Sequence, residues 1–292
     1  MAQSPDPHSQ FITHPTGQTT HIIVDDFTDP WKPSETILIQ SGFARHAAFW
    51  YHWVPALSRR YRVIRRDLRG HGRSSCPEPG SGYDYSLDTI LEEILDTLDQ
   101  LNIPKVHFLG ESTAGMIAVA FAAKHPDRLL SLTTCATPTH LPMSAQKEWA
   151  LGYKDWETAC RTLGPKEYCS TLSKMPGGIG QPDPEYAKWW LEQIGLNSGE
   201  GLAQYAKFLS TLEIRPFYED ITKSQLPVLI LAPTRSRNTN FQDQQKQRDF
   251  LKGCTFEIVD GAGHEIFVDK AQQCQDAVLK FLENIRAEGL RH

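Results

Sequence analysis

The 292-residue sequence contains no apolar run of about 18 residues, so no segment reads as a membrane-spanning helix. The opening residues, MAQSPDPHSQ, lack the apolar core of a standard secretory signal, and export by that route is not expected. Cysteine is sparse and scattered: Cys76, Cys135, Cys160, Cys169, Cys254 and Cys274 include no CxxC pair. That usage points to reduced, partly buried thiols and a cytoplasmic location rather than a disulfide framework. The 11 histidines form neither HExxH nor another paired-ligand spacing, so no metal and no other cofactor is implied. Basic charge is not in excess either. Thirty Lys and Arg against 35 Asp and Glu give a net charge of −5, which argues against a nucleic-acid or anionic-membrane surface.

What the chain does contain is an alternation of short apolar runs with helical patterns. Thr36–Gln40, Tyr61–Arg66, Val106–Leu109, Leu129–Cys135, Pro227–Ala232 and Cys254–Val259 read as strands, the apolar ones as fully buried strands. Helical patterns lie between them, the clearest being Ser86–Leu101 and Thr113–Lys124, with a last one over 270–288. Residues 1 to about 18 read as a flexible lead-in, followed by an edge strand near Thr20–Phe27. This rhythm predicts an α/β fold, a mostly parallel twisted sheet with helices on both faces. Residues 139–222 break the rhythm: they are helical in pattern, with Gly/Pro breaks at Gly164-Pro165, Pro176-Gly177-Gly178 and Pro182–Pro184. The expected organisation is a core of residues 1–138 and 223–292 with 139–222 inserted as a helical lid over the C-terminal ends of the strands.

The most informative stretch is Gly110-Glu111-Ser112-Thr113-Ala114-Gly115, between an apolar strand and a helix of small residues. A serine on such a turn is a nucleophile elbow, whose strained backbone requires small neighbours. The helix N-terminus beneath Ser112 favours an oxyanion. Ala114 stands where the Gly-x-Ser-x-Gly pattern has its last glycine, a mild departure. Glu111 reads as a buried carboxylate bonded to backbone or to a nearby Arg.

With the elbow placed, nearly the whole chain resembles the α/β-hydrolase superfamily, most closely the lid-bearing group of enol-lactonases and fungal lactone hydrolases. Asp67-Leu68-Arg69-Gly70-His71-Gly72-Arg73-Ser74 matches the superfamily's Asp-x-Arg-Gly-x-Gly-x-Ser loop, to which we assign a structural role. Ser41-Gly42-Phe43 stands where relatives have His-Gly-x. The resemblance implies an oxyanion hole formed by the backbone N–H groups of Phe43 and Thr113, with Gly42 beside the substrate. His264, in Asp260-Gly261-Ala262-Gly263-His264, falls at the family's general base.

The third member of the triad is missing. Relatives carry an Asp about four residues after the strand Pro227–Ala232, where this chain has Ser236. The loop Cys135–Thr139 offers no carboxylate. Either Asp243 swings in from the next helix, or Ser236 or Asn238 accepts the histidine N–H in a neutral triad. Asp243 also fits a plainer role, near the start of a helix capped by Asn240.

Trp149, Trp156, Trp189 and Trp190 lie in the insertion and suggest an apolar substrate, although aromatics at helical spacing are ordinarily core. Arg235 and Arg237 lie near the rim of the site and read as exposed charge. The reading is a hydrolase cleaving a small to medium hydrophobic ester or lactone through a Ser112 acyl-enzyme, with a small molecule as the partner. The alternative on the same fold is a cofactor-free dioxygenase or C–C bond hydrolase using His264 as base. A ligand-binding receptor with weak hydrolysis is a third reading. The serine at the elbow disfavours epoxide hydrolases and dehalogenases, which use an aspartate there.

Overall fold

The structure, a computed structural model, describes residues 7–175, 183–261 and 263–289. In chain order the first half is β1 (Ser9–Thr13), β2 (Thr19–Asp25), β3 (Thr36–Gln40), α1 (Val54–Leu57), β4 (Arg62–Arg66), α2 (Leu87–Gln100), β5 (Val106–Glu111), α3 (Thr113–Lys124) and β6 (Leu129–Cys135). There follow α4 (Met143–Trp149), α5 (Trp156–Ser173), α6 (Pro184–Ile194), α7 (Gly199–Thr211) and α8 (Tyr218–Ser224). The chain then returns to the sheet with β7 (Val228–Pro233), α9 (Phe241–Phe250), β8 (Thr255–Val259), α10 (Ile266–Asp269) and α11 (Ala271–Gly289).

The eight strands form one sheet in the order β1-β2-β4-β3-β5-β6-β7-β8. From β4 to β8 every pairing is parallel, while β2 runs antiparallel to both its neighbours. Central strands β3 and β5 are buried along their whole length, as their unbroken apolar runs predict. The expected flexible lead-in instead contains β1, paired with β2 from Ser9 opposite Ile23 to Thr13 opposite Thr19. Only Ile12 of β1 is buried, so pairing to β2 makes this strand, and its own hydrophobic pattern carries almost no signal.

Sheet order places the site. β3 and β5 are neighbours, so the loop after β3 and the turn after β5 open on the same edge, as ligand sites in parallel sheets do. Their approach is close: a Cβ on Gly42 would lie 2.9 Å from the Ser112 Cβ, and one on Gly110 would lie 2.7 Å from the Gly115 Cα. Helices α4 to α7 form an insertion between β6 and β7, and α8 crosses the expected boundary at 222 to pack against α3. Within α5, Gly164 at φ 70° interrupts the helix just before Pro165, the break expected from sequence. Of the other expected breaks, residues 176–178 and Pro182 lie outside the described residues, while Pro184 opens α6 behind its cap Asp183. No helix among the described residues is long and apolar enough to cross a membrane.

The insertion meets the core where two backbones nearly touch. Gly70, at φ 74°, packs against Gly201 of α7, and the Ser198 N–H donates to the Gly70 carbonyl over 3.2 Å. A Cβ on Gly201 would sit 2.6 Å from the Gly70 Cα, a distance that only movement of backbone relieves. Gly201→Ala is therefore expected to destabilise the protein by about 1–3 kcal/mol. A lowered midpoint with an unchanged slope in urea unfolding would show it; an unchanged midpoint would contradict this packing.

Candidate active site

Ser112 is held in a backbone conformation that L-residues rarely adopt, φ 52° and ψ −126°, at the junction of β5 and α3. The strand fixes the entry to this turn and the helix its exit, with the Ser112 N–H donating to the Cys135 carbonyl at 2.8 Å. The side chain is thereby presented at the sheet edge, yet it is buried beneath the insertion.

His264 reaches it from the loop after β8. Its Nε2 lies 2.8 Å from the Ser112 Oγ, and its Nδ1 lies 3.0 Å from the Ser236 Oγ and 3.4 Å from the Thr239 Oγ1. Ser236 Oγ accepts the Thr239 N–H, and Thr239 Oγ1 donates to the Ala136 carbonyl, so both hydroxyls retain lone pairs for an Nδ1–H. That fits the tautomer with its proton on Nδ1, leaving Nε2 free to accept from Ser112. The loops carrying these groups are tied together by Thr234, whose hydroxyl donates to Asp260 at 2.6 Å and accepts the Gly261 N–H at 3.1 Å.

Of the candidates for the third position, the geometry brings Ser236 to His264 and leaves Asp243 away. Asp243 lies in the first turn of α9, where its carboxylate pairs with Lys246 at 3.0 Å, and Asn240 caps the helix as expected. That role satisfies the carboxylate locally and corrects the expectation that it swings to the histidine. Asn238 lines the cavity instead. Thr239 is a histidine neighbour that sequence reading missed, because an isolated threonine in a turn carries no signal of its own.

Glu111 behaves as the buried carboxylate expected. It accepts the Gly42 N–H at 2.9 Å and binds the Arg45 guanidinium through both oxygens, at 2.5 and 3.2 Å. Arg45 also reaches Glu265, next to His264, at 3.0 Å, and all three side chains are buried. Arg45 and Glu265 went unseen in the sequence, where each reads as an ordinary charged loop residue. Burial, with the Glu111 charge nearby and only partly offset by Arg45, pushes the Glu265 carboxyl up to about 7. Burial and then the Arg45 charge lower the His264 pKa to about 3.

The Phe43 N–H, expected to face an oxyanion, donates to the Thr113 Oγ1 at 3.0 Å. A cavity of about 80 Å³ adjoins Ser112, lined by Phe43, Thr113, Leu141, Leu172, Ile194 and His264 among others. Trp149, Trp156 and Trp190 line it as expected. Trp189 does not. Adjacent helical residues point about 100° apart, and on α6 the Trp189 ring packs on Phe49 and Tyr51 at the outer face. Gly42 is also absent from the lining, its N–H being spent on Glu111. Arg237 pairs with Glu148 of α4, and Arg235 is exposed.

A family model described as the alpha/beta hydrolase fold matches residues 35–271. The chain belongs to the α/β-hydrolase fold family. It is similar over 96% of its length to 3-oxoadipate enol-lactonase 1 of Acinetobacter baylyi, at 24% identity and covering 98% of that protein. The enol-lactonase structure from Burkholderia xenovorans superposes with a TM-score of 0.81 at 21% identity, covering 94% of this chain and all of that one. A shorter stretch, 39% of this chain and 41% of the relative, is 38% identical to a pimeloyl-acyl-carrier-protein methyl ester esterase of Aeromonas hydrophila. The protein is a hydrolase of this fold, related to enol-lactonases and esterases.

The buried imidazole gives a test that needs no substrate. In the folded protein the His264 ring should stay neutral on acidification from pH 7 to about 4, whereas an ordinary histidine takes up its proton near 6.5. Imidazole resonances assigned with a His264→Gln control would show this, and titration near pH 6.5 would contradict it.

Proposed function

We propose that the protein hydrolyses a small to medium, uncharged, hydrophobic ester or lactone through a covalent Ser112 intermediate. The observation that carries this reading is the 2.8 Å contact between the Ser112 Oγ and His264 Nε2 at the mouth of an apolar cavity. His264 takes the Ser112 proton as Oγ attacks the carbonyl carbon, and the carbonyl π electrons move to oxygen. Collapse of that oxyanion breaks the bond to the leaving oxygen, which receives the proton from His264. Water, deprotonated by the same imidazole, then adds to the acyl carbon and releases Ser112 and the acid. The helices of the insertion act as a lid that keeps this chemistry dry.

The preference for an uncharged substrate rests on the cavity walls. Among the described residues lining the cavity Arg45 is the one cation, and Glu111 and Glu265 already engage its guanidinium. A substrate carboxylate would lose its hydration without gaining a free cation, a cost of several kcal/mol.

Ser236 orients the imidazole in place of an aspartate. A neutral acceptor fixes the tautomer but stabilises the imidazolium less, so turnover is slower than with a full triad. Ser236→Ala removes one of two hydroxyl acceptors, and kcat should fall by about tenfold, far less than the roughly 10⁴-fold lost with a triad aspartate. An effect as large as the aspartate case would show that Ser236 does more than orient.

The direct test is exposure to a fluorophosphonate followed by intact-mass analysis and peptide mapping. The expected result is one adduct, confined to Ser112 and absent from Ser112→Ala. No adduct under conditions that label a reference esterase would overturn the hydrolytic reading and turn attention to oxygen consumption or carbon–carbon cleavage.

A further inference from the structure

Thr113 carries more than the backbone N–H that the fold asks of it. Its hydroxyl sits between two donors, the Phe43 N–H at 3.0 Å and the Tyr205 phenol at 3.3 Å, the latter from α7 of the insertion. A hydroxyl oxygen has two lone pairs, and these two contacts use both. Among the described residues no acceptor takes the remaining Thr113 proton, and Thr113 lines the cavity beside Ser112. Tyr205 is buried, and burial raises its pKa, so the phenol keeps the proton it donates.

We infer that the Thr113 hydroxyl is itself an oxyanion donor, relaying the Phe43 N–H to the substrate, and that Tyr205 of the insertion positions it. The inference rests on the hydrolytic reading above. In the family arrangement the Phe43 N–H would meet the oxyanion directly. Here that N–H is occupied, and a hydroxyl polarised by two donors stands in its place. As Ser112 attacks, the negative charge on the former carbonyl oxygen is met by the Thr113 N–H and the Thr113 O–H. The Thr113 proton is shared, not transferred, and no bond to Thr113 forms or breaks. Hydrogen bonds that feed one another in a chain strengthen in a buried, low-dielectric site, and Thr113 and Tyr205 are both buried.

The position of Tyr205 makes the relay dependent on the insertion. The residue sits one turn beyond Gly201, the contact at which α7 meets the core. Displacement of α7 would remove the phenol and leave the Thr113 proton free to turn away from the cavity. A seated insertion thus completes the oxyanion hole as well as covering it.

The test compares Thr113→Val, Thr113→Ser, Tyr205→Phe and the Thr113→Val/Tyr205→Phe double variant. Two readouts serve: steady-state hydrolysis of p-nitrophenyl acetate, and the rate at which a fluorophosphonate modifies Ser112. Loss of one oxyanion donor predicts that Thr113→Val lowers kcat and the phosphonylation rate by about 10²–10³-fold with KM little changed. Thr113→Ser keeps the hydroxyl and should recover most of that loss. Tyr205→Phe should lower kcat several-fold in the native background and by nothing further beside Thr113→Val, the non-additivity of two groups acting through one bond. Thr113→Ala gives the same comparison with a smaller side chain if valine is not accommodated. A Thr113→Val enzyme as fast as the native one, or faster, would show that the hydroxyl merely plugs the Phe43 N–H, and would overturn the relay alone. Native protein that neither hydrolyses the ester nor labels at Ser112 would remove the hydrolytic reading and the relay with it.

Discussion

Arg45 joins the three segments that make the site. Its guanidinium comes from the loop after β3, pairs with Glu111 at the end of β5, and reaches Glu265 beside His264, 220 residues away in sequence. Glu111 in turn takes the Gly42 N–H, and Glu265 takes the Trp190 indole N–H from α6 at 3.3 Å. The loop after β3, the elbow, the histidine loop and the insertion therefore converge on one buried cluster of charge. Such a cluster adds little net stability, since desolvating the ions offsets their attraction. Its loss is another matter, because removing one member strands a buried charge at about 3–5 kcal/mol. The cluster accordingly serves geometry: it holds backbone segments at fixed separation where a shift of one ångström would part Ser112 from His264.

That location has an electrostatic consequence. His264 lies deep in the protein and feels the Arg45 charge, and both effects, burial first, hold it neutral. It costs stability as pH falls from its unfolded value of 6.5 toward 3, because the unfolded chain then binds a proton that the fold does not. Glu265, raised from 4.5 to about 7, acts in the opposite sense: the fold holds a proton that the unfolded chain releases, so stability is lost as pH rises through that window. Between about 4.5 and 6.5 the two slopes oppose, and the site can keep a neutral base and a neutral carboxyl side by side with little net pH dependence of folding. An aspartate at position 236 would raise the imidazole pKa and add a partly buried charge to this region. Ser236 avoids that charge and leaves a less strongly supported imidazolium.

What was legible in the sequence follows from the range of each signal. Buried strands β3, β5, β6 and β7 announce themselves as apolar runs, and the elbow and histidine loop as short strings between a strand and a helix. Ser112 and His264 fall where those strings place them, 2.8 Å apart. β1 escaped because its pairing supplies what its composition does not. Trp189 and Trp190 were indistinguishable in the sequence, since which of two adjacent helical residues faces inward depends on how α6 docks. The Arg45–Glu265 pair and the Tyr205–Thr113 contact join residues far apart in the chain, and side chains that ordinarily face water carry no mark of burial. Asp243 misled for the converse reason: an acidic residue near the expected turn attracts a functional reading, while local capping and its lysine partner already account for it.

The same long-range contacts bear on how a substrate enters. Beyond Trp190 and Tyr205, the insertion reaches the loop after β3 through Asn197, which donates to the Ala44 carbonyl at 2.7 Å, and through the Gln193 carbonyl, which accepts from His46 at 3.1 Å. Asn197 also accepts the Gly72 N–H at 2.9 Å. Each such bond is worth about 0.5–1.5 kcal/mol net, so lifting α6 and α7 together would forfeit several at once. Lifting them would also part Tyr205 from Thr113 and Trp190 from Glu265, removing a support of the Thr113 hydroxyl and one of the charge cluster. A path that disturbs α4 and α5 is less costly to the site. Those helices give the cavity Trp149, Trp156, Cys169 and Leu172, which hold it by packing rather than by bonds to Ser112, His264 or Thr113. The same two helices have directional contacts of their own, Arg161 with Glu200 of α7 and Glu148 with Arg237, so opening on that side also breaks ion pairs but leaves the bonds of Ser112, His264 and Thr113 in place.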